Sequence, residues 1–154
     1  MTQTRGNVAD PATVGASVTD ISELLQRDDT TIAGVGATDD PDKYGSVIYR
    51  DLKAKGFRVY PVNIHRSTVD GDRAYRTLAD LPDRPTIVNI VVPADQTLRV
   101  LRQAREAGHE NVWVQPGAED RAVLDYLDIA GFTYLANACI MTRSRHLEVD
   151  PLRS

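Results

Sequence analysis

Residues 86–92 carry Ile87, Val88, Ile90, Val91 and Val92, a run so nearly continuous in apolar side chains that a strand formed from it must be covered on both faces. A parallel sheet with helices on each side meets that requirement. Shorter apolar runs at 31–36, 57–62, 111–115 and 132–135 read as companion strands, and Pro61 marks where pairing of the second stops. Between them, apolar residues recur at helical spacing. Val18, Ile21, Leu24 and Leu25 predict a first helix, with Ser17 or Thr19 as N-cap and Asp28-Asp29 as its end. Tyr44, Val47, Ile48 and Leu52 predict a second, closed by Gly56. Pro93 opens a third with Leu98, Leu101 and Ala104, stopped by Gly108. Val123, Leu124, Leu127 and Ala130 predict a fourth, with Glu119 and Asp120 at its start and Gly131 at its end. Asp70-Gly71 is a turn signal, residues 73–75 a candidate short strand, and Leu78 and Leu81 mark a brief helix. Alternation at this spacing predicts an α/β fold of Rossmann type: a three-layer α/β/α sandwich around a mainly parallel sheet. One domain is expected over 18–147, with loose tails at 1–17 and 148–154.

Composition narrows the partners. The chain has 154 residues, 42% apolar and 26% charged, which suits one globular domain with a real core. Net charge is −4 and no basic tract occurs, which argues against nucleic acid while leaving room for a local anion pocket. Cys139 is the single cysteine, so no internal disulfide can form and a reducing compartment fits. The first residues lack the layout of a secretory signal, and no stretch approaches the roughly 20 apolar residues that cross a membrane. Cytoplasm is the expected location. His65, His109 and His146 are too scattered to suggest a metal site.

Ligands of open α/β sheets bind beyond the carboxyl ends of strands, so the residues after each strand carry the functional weight. After the first lies Gly34-Val35-Gly36-Ala37-Thr38-Asp39. A dinucleotide fingerprint would place glycine or alanine where Asp39 stands, and the loop runs longer, to about Lys43. Glycine there still admits backbone N–H groups to a phosphate, and a helix start favours an anion. Thr38 and Ser46 add hydroxyls and Lys43 a charge, which makes an anion site a better reading than a plain turn. Beyond the second strand, Asn63-Ile64-His65-Arg66 lacks the acid that plain NAD requires and suits a phosphorylated ribose or no ligand at all.

Taken in order, the segments Thr31-Ile32-Ala33-Gly34-Val35-Gly36-Ala37-Thr38, Lys43-Tyr44-Gly45-Ser46, Tyr60-Pro61-Val62-Asn63, Tyr75-Arg76-Thr77-Leu78, Val91-Val92-Pro93, Val112-Trp113-Val114-Gln115-Pro116-Gly117 and Asn137-Ala138-Cys139-Ile140 resemble the stand-alone CoA-binding domain proteins. These are related to the CoA-binding domain of succinyl-CoA synthetase α subunits. The resemblance covers roughly residues 18–147. It implies a sheet ordered 3-2-1-4-5-6, with residues 73–75 supplying the third strand. It also implies that Gly36, Ala37, Thr38, Lys43 and Ser46 hold the phosphates of CoA or an acyl-CoA. Pro61, Val62 and Asn63 would approach the adenosine, while Val92, Pro93, Ala94, Gln115, Pro116 and Gly117 line the rest of the cleft. The chain departs from that pattern at Asn137-Ala138 and Met141, around Cys139. Complete synthetases need a second domain, so the resemblance implies binding rather than full ligase chemistry. Two alternatives stand beside it: an NADP-dependent oxidoreductase, and a regulatory or scaffold protein with an unused cleft. A protein partner or homo-oligomer fits any of the three. Cys139 reads as a small buried hydrophobe, with a reactive thiol near the pantetheine arm as the sharper alternative.

Overall fold

The computed structural model describes residues 13–14 and 21–144. Strand β1 (Thr13–Val14) precedes a 3-10 turn at Ile21–Gln26, and β2 (Thr31–Val35) leads to α1 (Tyr44–Ala54). There follow β3 (Arg58–Val62), the small hairpin β4 (Thr68–Val69) and β5 (Asp72–Arg73), and a 3-10 turn at Leu78–Asp80. Then come β6 (Ile87–Ile90), α2 (Ala94–Glu106), β7 (Asn111–Val114), α3 (Arg121–Ala130), β8 (Thr133–Ala136) and the single turn α4 (Ile140–Arg143). The main sheet runs β1-β8-β7-β6-β2-β3, and every pairing in it is parallel except β1 with β8. Five parallel strands between helical layers make a Rossmann-like α/β fold. Among the described residues no helix is long and apolar enough to cross a membrane.

Strand alternation divides the core in two. Val88 and Ile90 of β6 and Val112 and Val114 of β7 pack with Val100, Leu101 and Ala104 of α2 and Val123 and Leu127 of α3. Ile87 and Trp113 face the other way, against Ile21 and Leu25, Ile48 and Leu52 of α1, and Ile140 of α4. Trp113 is fully buried and its Nε1 donates to the Ala138 carbonyl at 2.8 Å, which seats the segment before α4. Punctuation follows the sequence closely. Asp120 caps α3 by accepting from Val123 N at 2.9 Å, and Gly131 ends the helix at φ 79°, a left-handed turn that favours glycine.

Three expectations are corrected. Residues 73–75 do not add a third strand to the parallel sheet. Asp72–Arg73 pairs back on Thr68–Val69, and only Tyr75 reaches the main sheet, as a single parallel bridge to Val62. Thr13–Val14, inside the stretch read as a loose tail, pairs with β8; the remainder of that tail and residues 145–154 lie outside the described residues, as do Ser17, Val18 and Thr19. The buried face of α1 is Ile48, Tyr49 and Leu52, whereas Tyr44 and Val47 are exposed.

Candidate functional site

From β2 the chain turns to β3 on one side, then crosses to β6 on the other. The loops leaving β2 and β6 therefore part in opposite directions, which opens a crevice at the carboxyl ends of the two strands. A cleft of about 570 Å³ lies there. The ends of β2, β3 and β6 contribute Val35, Val62, Val91 and Val92, the start of α1 contributes Lys43, Tyr44 and Gly45, and α2 contributes Gln96, Arg99 and Gln103.

The close approach of α1 to the glycine loop shapes the floor. A Cβ on Gly45 would collide with the carbonyl oxygen of Gly36, so no larger residue fits at that contact. Gly36 itself has φ +104°, and a Cβ there would meet the backbone nitrogen of Val92 at 3.2 Å. Its N–H donates to Val62 O at 3.0 Å and that of Ala37 to Gly34 O at 3.3 Å. Both of these N–H groups are thus taken up by the protein's own backbone. The start of α1 is the other element that can face an anion, with the exposed Lys43 at its N-cap, although within its first turn the Ser46 N–H already donates to Lys43 O at 3.0 Å.

Of the residues picked from the sequence, Gly36, Thr38, Lys43, Val62, Asn63, Val92 and Pro93 line the cleft. Ala37, Ser46, Pro61, Ala94, Gln115, Pro116 and Gly117 do not. Ala37 turns inward against Tyr49 and Val69. Ser46 is buried in the first turn of α1, and Pro61 is buried within β3 opposite Gly34. Gln115 continues the alternation of Trp113, and its Oε1 accepts from Ile140 N at 2.9 Å, on the α4 side. Pro116 and Gly117 are exposed beyond β7.

The cleft is rich in positive charge for a chain of net charge −4. Among the described residues that line it, Lys43, Arg66, Arg76 and Arg99 are cationic, His65 stands beside them, and Asp40 is the one acid. Asn63 organises the turn beyond β3: its Oδ1 accepts from His65 N at 2.7 Å and its Nδ2 donates to Ala37 O at 2.9 Å. Arg76 Nη1 donates to Ile64 O at 3.1 Å, and Arg66 Nη1 lies 3.6 Å from Asp39 Oδ2. The other oxygen of Asp39 accepts from Asp70 N at 2.6 Å, so the residue in the place of a third glycine anchors the β4–β5 hairpin. Arg76, Gln96, Arg99 and Gln103 were not identified as site residues from the sequence. On α2 the signal was the polar stripe 96, 99, 103, three and four residues apart opposite Leu98 and Leu101.

Cys139 is half-buried and outside the cleft lining, but Tyr44, which lines the cleft, is in hydrogen-bond contact with it at 3.4 Å between hydroxyl and Sγ. Burial pushes the Cys139 thiol up; the Tyr44 hydroxyl, the Thr142 and Met141 N–H groups and the Gln115 amide more than offset that, and the thiol ionises below its ordinary value. The same bond to Cys139, followed by burial, pushes the Tyr44 phenol up to about 12.

The profile of a family described as a CoA binding domain matches residues 30–145. The α subunit of acetate–CoA ligase [ADP-forming] II from Pyrococcus furiosus is 35% identical over 82 residues, 53% of this chain but 18% of that subunit. The chain therefore spans under a fifth of that relative's length. The uncharacterized protein YneT of Bacillus subtilis is 27% identical over 80% of this chain and 91% of its own length. Among solved structures, a conserved hypothetical protein from Pyrococcus furiosus is 41% identical, with a TM-score of 0.71 over 73% of this chain and 97% of that one.

Proposed function

The chain belongs to the CoA binding domain family, and from that premise we propose that its cleft binds coenzyme A or an acyl-CoA. The supporting observation is a switch-point cleft lined by Lys43, His65, Arg66, Arg76 and Arg99, with Asp40 the one acid among the described lining residues, an environment suited to a ligand carrying several phosphates. In this reading the pyrophosphate lies over residues 36–46, against the first turn of α1, with Lys43 as its charged partner. Asn63 and the turn beyond β3 take the adenosine end. Val92 and Pro93 flank the pantetheine arm, whose apolar stretches suit the valines at the strand ends. The role is binding, and the ligase activity of the longer relative is not carried over to a chain covering 18% of it. A cytoplasmic location accords with the free thiol of Cys139.

Isothermal calorimetry with CoA, acetyl-CoA, NAD and NADP at one fixed salt concentration tests this. One-site binding of CoA or acetyl-CoA, with NAD silent, is the expected result. Tighter binding of NADP, together with hydride transfer to small carbonyl compounds, would favour an oxidoreductase; Arg66 beyond β3 is the feature that supports that second reading. No heat with any of the four would leave a regulatory protein whose cleft is unused.

A further inference from the structure

We propose that Cys139 is an acyl acceptor: a thioester held in the cleft passes its acyl group to the Cys139 thiol, beside Tyr44 and the Gln115 amide. The inference rests on the reading of the cleft as a CoA site and adds one covalent step to binding.

Tyr44 links the two places. It lines the cleft at the start of α1, and its hydroxyl lies 3.4 Å from Cys139 Sγ. The thiol is thus one side chain away from the cleft wall, and it is half-buried rather than sealed in the core. Trp113 fixes its position, because Nε1 donates to the carbonyl of Ala138, the residue before the thiol. A free cysteine that serves only as packing sits among apolar groups, which push its ionisation up. Cys139 instead has the Tyr44 hydroxyl, two backbone N–H groups and an amide beside it, and these favour the thiolate.

Gln115 carries a donor that the fold does not use. The residue is 1% exposed, and its Oε1 accepts from Ile140 N at 2.9 Å, which seats the amide beside Cys139. Its Nε2 finds no acceptor among the described residues. A buried amide with an idle donor costs stability unless something comes to accept from it. A sulfur bearing negative charge, or the oxygen of a thioester under attack, is such an acceptor. Asn89 pairs with Trp113 across β6 and β7 and so shares its face; it is fully buried, with neither Nδ2 nor Oδ1 partnered among the described residues. This side of the sheet therefore holds polar capacity that packing alone does not require. In the step, Cys139 gives its proton to solvent and the thiolate attacks the carbonyl carbon of the thioester. A carbon–sulfur bond to Cys139 forms, the bond to the CoA sulfur breaks, and the departing thiolate takes up a proton. One thioester is exchanged for another, so the step balances without an oxidant or a further reactant.

The test treats the full chain with acetyl-CoA and, in parallel, with the acetyl thioester of N-acetylcysteamine, which carries the same reacting group without the nucleotide. Intact mass and peptide mapping follow the adduct. One acetyl group should appear on Cys139, be released by neutral hydroxylamine as a thioester is, and be absent from Cys139→Ser. Delivery through the cleft should make the second-order rate constant with acetyl-CoA about tenfold or more larger than with the small thioester. Gln115→Glu keeps an acceptor for Ile140 N and replaces the idle donor with a like charge. It should slow acetylation on the order of tenfold and move the pH profile to higher pH. Where that variant melts early, Tyr44→Phe, at an exposed position, should shift the profile in the same direction. Equal rate constants for the two thioesters overturn the proposal and leave Cys139 a reactive thiol only. No adduct on Cys139 while calorimetry shows CoA binding overturns the acceptor role alone. No adduct and no CoA binding overturns it together with the CoA reading.

Discussion

Asn63 Nδ2 donates to the carbonyl oxygen of Ala37 at 2.9 Å, which ties the turn beyond β3 to the loop beyond β2 across the mouth of the cleft. The same side chain holds His65 N through its Oδ1, so one amide fixes both walls. Asn63→Ala removes both bonds. A loss of about 1–2 kcal/mol in stability is expected, with CoA affinity falling about tenfold because the walls lose their register. Urea unfolding alongside calorimetry checks this; a variant that binds CoA as well as wild type would show that the staple serves stability only.

Lys43 and Gly45 should separate affinity from folding. Lys43 is exposed at the N-cap of α1, and Lys43→Ala should weaken CoA about tenfold or more with little change in melting temperature. Gly45→Ala puts a Cβ into the Gly36 carbonyl, so α1 must shift away from the loop. A stability loss on the order of 1–3 kcal/mol is expected, accompanied by loss of binding. Gly36→Val should behave like Gly45→Ala, since its positive φ and the nearby Val92 backbone oppose any side chain. Thermal melts of the three variants, followed by titration with CoA, decide the matter.

The Tyr44–Cys139 contact predicts a shift in thiol reactivity. Tyr44→Phe deletes the hydroxyl that helps hold the thiol below its ordinary value, so the thiol pKa should rise and the thiolate fraction near neutrality should fall. Iodoacetamide alkylation of Cys139, followed by intact mass across a pH series, should be slower in the variant at each pH below the plateau. An identical pH profile would mean that the backbone N–H groups of Met141 and Thr142 and the Gln115 amide set the reactivity unaided.

Lys53 bridges Asp70 at 3.0 Å and Asp72 at 2.6 Å, and the Tyr49 hydroxyl donates to Asp72 at 2.6 Å, pinning the β4–β5 hairpin to α1. Hydrogen bonds from Lys53 and then Tyr49 hold the Asp72 carboxyl below its usual 3.8. A depressed folded pKa stabilises the fold above the unfolded value and loses that contribution as the pH falls through the folded one. The stability difference between wild type and Lys53→Met should therefore be constant around neutrality and shrink below about pH 4. Urea midpoints at several pH values test it, and a difference that persists at pH 2 would assign the effect of Lys53 to packing over the Tyr49 ring.

Most of the sheet was legible because its signals are local. The buried run of β6, the Asp120 cap and the Gly131 stop each depend on residues a turn or less apart. The missing parts depend on distant pairing. Arg76 reaches the cleft through one bridge between Tyr75 and Val62, a contact that leaves no periodic trace. Tyr75 was read as part of a strand for the same reason. Arg99 and Gln103 sit on a polar helix face that looks like any solvated face until the strand ends are placed opposite it. Gln115 follows β7 but does not line the cleft; two-residue alternation from the buried Trp113 turns it to the α4 side.

The margins of the sheet bear on how the protein behaves at high concentration. At β8, Thr13 and Val14 pair with Ala136 and Leu135. At β3, Tyr75 takes the Pro61 carbonyl and gives its own to Asn63, while Pro61 has no N–H to offer. A neighbouring molecule seeking an open ladder thus meets an interrupted one on either side, which works against growth by strand addition and the fibrous assemblies that follow from it.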